Sequence, residues 1–475
     1  MNLGSLTISG ERATAPAVRP GKGFLKGWTH SKMAVVLLLA YLGIIATEGF
    51  SRWILTSIGA ESLIYLRDLL PPAGAFFALR GHRNPRRWLL FVVIGVQLFL
   101  ASAVGYYFSG NVAQVFFGLR MFIPLLFGIA MYSAIVKNWQ FFTRGCLVLL
   151  GIAVIGVVIN QYVHFPWIGA DFSLFNITVE LSREWMEFGG RERLPGFSRA
   201  SYDAATQIVV FYIITLYYVR GTILRTALTA ASLYAVYLTT SKAPLLAAIL
   251  LAVNFLLIEM LPQIPLVRAR QKILRRMGIL LLRLQIAMIT AIGVLMPLRT
   301  SGTLSFLERD LREQSEFHLL SMQDRAATFW PLTMEHIVNV GNPWLGVGMG
   351  GIGSPLDLFG HVDSSVPGDN SFLYFYALFG VIAGLYFFLF ACVAFSRRLM
   401  TSAGTTVFGL LALSACVQGV TKTTIEGSYD CLFLGLVIAH VTFGWRSLMV
   451  RRNVRASENV KGGMPRLALV PRSAY

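Results

Sequence analysis

This chain is short of charge. Only 13% of its 475 residues are Asp, Glu, Lys or Arg, about half of the roughly 25% found in a soluble domain. So little charge excludes an ordinary water-covered globule. Acids are the scarcer sign, 23 against 41 basic residues, for a net charge of +18. Cysteine is scarce too. Cys146, Cys392, Cys416 and Cys431 all fall in or beside apolar runs, with no metal-ligand spacing and no disulfide framework, and read as small buried apolar residues. No internal repeat marks an inverted-repeat transporter. The amino-terminal thirty residues are polar and basic and lack an AxA-like site before an early apolar core. The first apolar run therefore reads as a retained anchor and not as a cleaved signal.

What fills the chain instead is apolar sequence. Hydrophobic residues make up 55% of it and the mean hydropathy is +0.63. Nearly continuous apolar runs of about 17 to 24 residues recur, each long enough to cross a hydrocarbon core. The expected fold is an all-α polytopic membrane protein with about twelve spans, near 33–50, 61–80, 88–108, 112–136, 145–163, 204–219, 223–240, 243–260, 277–296, 372–395, 403–420 and 431–445. The expected organisation is a basic cytoplasmic segment 1–32, spans one to nine over 33–296 with an outer loop 164–203, a large helical outer loop 297–371, spans ten to twelve over 372–446, and a basic tail 447–475.

Orientation follows from the lysines and arginines. Alternate connections carry RGHRNPRR (80–87), VKNWQFFTR (136–144), VRGTILR (219–225), VRARQKILRR (267–276) and SRR (396–398), and both ends of the chain are basic. These belong in the cytoplasm, so both termini are expected there. The positive-inside rule and anionic lipid account for the pI near 10, and nucleic acid is not an expected partner.

The long outer loop has the composition of folded protein. LSFLERDLREQSEFHLL (304–320) places Leu307, Leu311, Phe317 and Leu320 near one helical face, and DRAATFWPLTMEHIVNV (324–340) reads as a second helix stopped by Gly341, Asn342 and Pro343. Next comes NPWLGVGMGGIGS (342–354), which nearly spells a dinucleotide fingerprint. It follows a helix instead of a strand and lies on the outer side, so the nucleotide reading is set aside. Its glycines are expected to let backbone pass close to a packed helix or a bound phosphate.

RLPGFSRAS (193–201), TTSKAPLL (239–246), DRAATFW (324–330), NPWLGVGMG (342–350) and DNSFLYFYALFG (369–380) occur in that order. The set resembles the O-antigen ligase and polysaccharide polymerase superfamily over most of the chain, with a layout similar to that of the lipid-dependent GT-C glycosyltransferases. The resemblance implies inverting, metal-independent and cofactor-free glycosyl transfer from an undecaprenyl-diphosphate-linked oligosaccharide. It further implies a flippase and a chain-length regulator as partners in the same pathway, beside membrane lipid.

Such chemistry needs cations for the diphosphate, a base for the acceptor hydroxyl and an apolar groove for the prenyl chain. By the resemblance, Arg193 and Arg325 match the family's outer-loop arginines, whose forks suit a diphosphate, although Glu187, Glu192 and Asp324 offer each an ordinary surface pair. Lys242 stands where the family has arginine and offers a point charge. Arg120 lies inside the fourth span, where a charge is a functional candidate by default. A structural pair with Asp68 and a phosphate-facing role both stay open for it. Asn370 and Arg199 are candidates for glycan binding or support. Ligases of the family carry histidine where this chain has Asp369. That residue is the first candidate base and His361 the second, while His318 reads as a surface residue. The departure favours a polymerase of lipid-linked repeat units over a ligase onto lipid A–core. A lipid-linked oligosaccharide flippase is the rival of another class. ERD (308–310) reads as an exposed helix face instead of a metal motif, and NIT (176–178) has no secretory context that would make it a glycosylation site.

Overall fold

A computed structural model of the chain describes residues 29–80, 85–174, 177–184, 192–219, 221–263, 270–303, 324–360, 366, 368–395 and 403–443. The amphipathic stretch 304–320, with His318, and also His361 and Glu187 lie outside these. In chain order the helices are α1 (His30–Ala46), α2 (Glu48–Ser57), α3 (Leu70–Leu79), α4 (Pro85–Ser109), α5 (Val112–Arg120), α6 (Ile123–Lys137) and α7 (Trp139–Asn160). A hairpin of β1 (Asp171–Leu174) and β2 (Ile177–Glu180) comes next. The helices resume with α8 (Ser201–Leu216), α9 (Thr222–Leu238), α10 (Lys242–Phe255), α11 (Gln271–Thr303), α12 (Trp330–Asn339), α13 (Ser354–Phe359), α14 (Ser371–Phe379), α15 (Ile382–Phe395), α16 (Ala403–Gly419) and α17 (Ser428–Phe443).

Among the described residues, five helices are long and apolar enough to cross a membrane: Pro85–Ser109, Val112–Lys137, Trp139–Asn160, Lys242–Met260 and Gln271–Thr300. A sixth arises if α1 and α2, bent by 80° at Thr47, count together. Four more apolar helices (Ser201–Leu216, Thr222–Leu238, Thr406–Gly419 and Ser428–Phe443) are shorter. The apolar periodicity thus yields helices almost throughout.

Several expected spans are broken, each by an identifiable residue. The stretch 61–80 starts as a 3-10 helix, Glu61–Leu69, and becomes α-helical only where Pro71 and Pro72 open α3. Proline there presets φ and gives up amide donors that a helix start leaves unpaired anyway. The stretch 112–136 is interrupted at Met121 and Phe122, just before Pro124. The stretch 372–395 breaks at Gly380, whose φ of +57° takes the chain out of α14. The ninth expected span does the opposite: its helix, α11, runs past 296 to Thr303, carrying Pro297 inside it.

One end of the bundle, the hairpin end, carries a second small core. Phe165, Trp167, Ile168, Phe172 and Leu181 bury themselves against Ile64, with Phe50, Trp53 and Phe197 packed alongside. The hairpin is antiparallel, pairing Asp171 with Glu180 and Leu174 with Ile177. This cluster anchors residues 165–172, Leu181 and Phe197 onto α2, and so fixes what stands beside them.

Sidedness is open to direct measurement. In a Cys392→Ser background, which removes the exposed cysteine, Asn339→Cys and Arg270→Cys both place a thiol at an exposed position. An impermeant thiol reagent is expected to label position 339 in intact spheroplasts and position 270 only after lysis. The reverse pattern would overturn the orientation read from the basic loops.

Candidate functional site

A membrane-embedded fold has little reason to hold charge unless the charges are paired or used. At the hairpin end a set of them is held together. The chain from α2 to α5 provides the first group. Glu48, the first residue of α2, is buried, and its Oε1 accepts from Arg52 one turn later and from Arg67 of the 3-10 segment at 2.6 Å. Arg52 Nη1 also reaches the Glu180 carbonyl at 3.4 Å, tying α2 to the hairpin. Arg67 Nε lies 3.5 Å from Asp68 Oδ1. Asp68 Oδ2 in turn accepts from Arg120 Nε at 3.1 Å and Nη2 at 2.5 Å. Arg120 ends α5, where its guanidinium lies over the rings of Phe117 (5.4 Å) and Tyr65 (5.6 Å). Of its two readings, the structure supplies the pair with Asp68.

The segment preceding α8 provides the second group. It is pinned by its backbone: Gly196 N donates to Asn160 Oδ1 (3.0 Å), Trp167 Nε1 to the Gly196 carbonyl (3.0 Å), and Arg183 N to the Arg199 carbonyl (2.7 Å). Ser198 Oγ donates to Gln207 Oε1 at 2.8 Å. None of these bonds uses the two arginine side chains of the segment. Arg193 and Arg199 are half-buried, and the Nε of each is shielded from solvent with no acceptor among the described residues. They differ in surroundings. Arg199 lies within electrostatic reach of Glu48, Asp203, Tyr202 and Arg52, and so belongs to the array.

The connection between α16 and α17, with the first turn of α17, provides the third group. Lys422 Nζ binds Asp430 Oδ2 at 2.5 Å and Thr206 Oγ1 at 2.6 Å, and stands 5.8 Å from the Tyr202 ring centre. Asp203 on α8 is within electrostatic reach of Lys422, Arg199 and Asp430. Glu426 accepts from Ser354 twice, N to Oε1 at 3.0 Å and Oγ to Oε2 at 2.9 Å, and lies within electrostatic reach of the buried Tyr374 phenol. Burial pushes the Glu426 carboxyl above its ordinary range, the Ser354 bonds pull it down, and Asp357 and Asp369 push it up again.

Asp369 itself stands just before α14. Its neighbour Asn370 is fully buried, and the side chain is used at both ends. Its Oδ1 caps α14 by accepting from Phe372 N (2.8 Å) and Leu373 N (3.0 Å), while Nδ2 donates to the carbonyls of Gly293 (3.1 Å) and Val420 (3.2 Å). Asn370 is therefore a support. It fixes the backbone from which Asp369 projects. Asp369 Oδ2 meets Arg325 Nε at 3.2 Å. Burial raises the Asp369 carboxyl above its usual range, and the Arg325 guanidinium draws it back down. Two residues singled out separately in the sequence, as base and as phosphate ligand, are thus ion-paired.

The glycine stretch serves packing. Val347 N donates to the Ala377 carbonyl (2.7 Å) and Met349 N to the Ala101 carbonyl (2.8 Å), while Gln114 Nε2 donates to the Gly350 carbonyl (2.9 Å). Gly348 has φ +73°, and a Cβ there would sit 2.2 Å from the Gly105 amide nitrogen of α4. Only glycine allows both that conformation and that approach. Of the two roles expected for these glycines, close helix packing is the one found at Gly348. His336 joins the same stretch through Nε2 and the Gly351 carbonyl at 2.9 Å, and burial pushes its imidazole pKa down.

Of the expected site residues, the structure brings together Arg325 and Asp369, and it places Arg120 and Arg199 within the array at the hairpin end. Lys242 stands exposed in the first turn of α10, two residues after Thr240, whose φ of +55° is an outlier for a β-branched side chain. Sequence reasoning passed over Glu48, Arg52, Asp203, Lys422, Glu426 and Asp430. A signal existed for the last three: TKTTIEGSYD (421–430) puts them in one short connection of a charge-poor chain. Among the described residues no three His, Cys, Asp or Glu side chains are grouped to hold a metal ion. In comparisons with known proteins, no family model and no curated protein matches the chain.

Proposed function

We propose that the chain is a glycosyltransferase of the outer face of the bacterial inner membrane, joining polyprenyl-diphosphate-linked repeat units into a surface or secreted polysaccharide. The observation that carries this reading is the Asp369–Arg325 pair at 3.2 Å, linked through Glu426 and Tyr202 to the arginines of the array. A carboxylate near a hydroxyl and guanidinium groups near a diphosphate are what this chemistry asks for. The order of the five sequence motifs points the same way.

In the proposed reaction the acceptor hydroxyl gives its proton to Asp369. Its oxygen forms a bond to the anomeric carbon, and the bond from that carbon to the diphosphate oxygen breaks. The lipid diphosphate leaves with the electron pair, from the face opposite to attack, so the configuration inverts. Arg199, whose Nε meets no acceptor, and Arg325 stabilise the charge that grows on the leaving oxygens.

The test is an assay of purified protein with a single lipid-linked repeat unit and no lipid A–core. A polymerase is expected to yield lipid-linked dimers and longer ladders. Product only after lipid A–core is added would assign a ligase. Movement of intact substrate across a vesicle membrane without a new glycosidic bond would replace the transferase reading with a flippase.

A further inference from the structure

Arg325 and Asp369 are ion-paired, yet the reaction proposed above needs them apart. It needs Arg325 on the diphosphate and Asp369 on the acceptor hydroxyl. A carboxylate held by a guanidinium is a poor base, because the pair stabilises its charged form.

The backbone beneath Asp369 is fixed. Asp369 is anchored through its neighbour, since Asn370 is buried and hydrogen-bonded to α11, α14 and the end of α16. Arg325 opens a short π-helical turn, Arg325–Phe329, ahead of α12. Such turns are rare, and they are frequent at functional sites.

The charges facing Asp369 make the consequence one-directional. Among the described residues they are Arg325 from the π-turn and Glu426 from the connection between α16 and α17; Glu426 has Asp357 of α13 behind it. Of these only Arg325 favours the carboxylate form. Take it away, and burial and an arriving diphosphate both act to raise proton affinity.

We infer that the pair is a latch released by the donor: the diphosphate draws Arg325 off Asp369, and only then does Asp369 become a competent base. The inference rests on the transferase reading, which puts a diphosphate at this array. It makes donor binding and base activation one event, so that the carboxylate does not activate water at an empty site.

The test follows Asp369 directly and needs no turnover. Infrared difference spectra of the purified protein report its carboxyl band, identified as the band lost in Asp369→Asn. The titration midpoint of that band is measured alone, with inorganic diphosphate, and with a short prenyl diphosphate; calorimetry on the same samples reports binding. An arginine partner typically lowers a carboxylate by about one to three pH units, so either ligand should raise the midpoint by about that much. In Arg325→Gln the midpoint should be high before any ligand is added. Binding with an unmoved wild-type midpoint would overturn the latch and leave the transferase reading standing. Failure of both ligands to bind would overturn the diphosphate site and the latch with it. Because the wild-type titration decides the question, poor folding of Arg325→Gln would not rescue the proposal.

Discussion

Asp369→Asn is expected to slow transfer by about 10²- to 10⁴-fold, the usual contribution of a positioned general base. The change keeps the shape of the side chain and removes its basicity. It leaves the cap of α14 untouched, because Asn370 provides that cap. It does leave the half-buried Arg325 without its carboxylate. Membrane protein level and thermal stability must therefore be measured beside the rate, since a buried charge that loses its partner is itself destabilising. The pH profile of the wild type offers a second reading. The active form is the carboxylate, so the rate should rise with pH through the Asp369 titration. Burial moves that limb above the ordinary carboxylate range, less whatever Arg325 takes back. If Asp369→Asn turns over normally while His361→Ala is dead, the base is His361. If both variants are normal, the proton is handled elsewhere and the assignment fails.

How far the sequence carried can be judged from particular residues. Helix was legible because apolar runs leave few other folds in a membrane. The breaks were harder. Pro71–Pro72, Pro124 and Gly380 are each visible, but proline and glycine are tolerated in membrane helices, so their presence alone does not locate a break. The site was half legible. Arg325 and Asp369 stand in recognisable stretches, but nothing local says that residues forty-four positions apart (369 − 325) meet at 3.2 Å. Lys422, Glu426 and Asp430 were missed because a short connection reads as a mere turn between spans. Their meaning comes from Thr206, Ser354 and Tyr374, which the fold delivers from α8, α13 and α14. The hairpin 171–180 was missed for a related reason. Four-residue strands carry too little periodicity to be read, and the buried aromatics Phe165 and Trp167 hold it in place.

Arg199 is where the structure changes the ranking that sequence alone assigned. Arg193 and Arg325 stood first by resemblance, with Arg199 a candidate for glycan binding or support. In the folded chain Arg52, Arg67, Arg120, Arg325 and Lys422 each have a carboxylate within 4.0 Å. Arg199 has none among the described residues, although Glu48 and Asp203 hold it in their field and its Nε is shielded without an acceptor. A guanidinium in that state is prepared for an anion that the described chain does not supply. Arg199→Ala should therefore lower kcat and kcat/KM together, by about 10²- to 10³-fold, the cost of removing one donor aimed at charge that develops in the transition state. Arg199→Lys should recover little, because a point charge does not reproduce the paired bonds of the fork. Arg193→Ala should lose less, since no carboxylate of the array reaches it. The backbone contact in which the Arg199 carbonyl accepts from Arg183 N survives all these changes, so loss of rate would not be loss of the segment. A variant that only raised KM would make Arg199 a binding residue without a role in the transition state. Full activity in Arg199→Ala, with Arg193→Ala inactive, would return the diphosphate to the residue that the sequence alone had favoured.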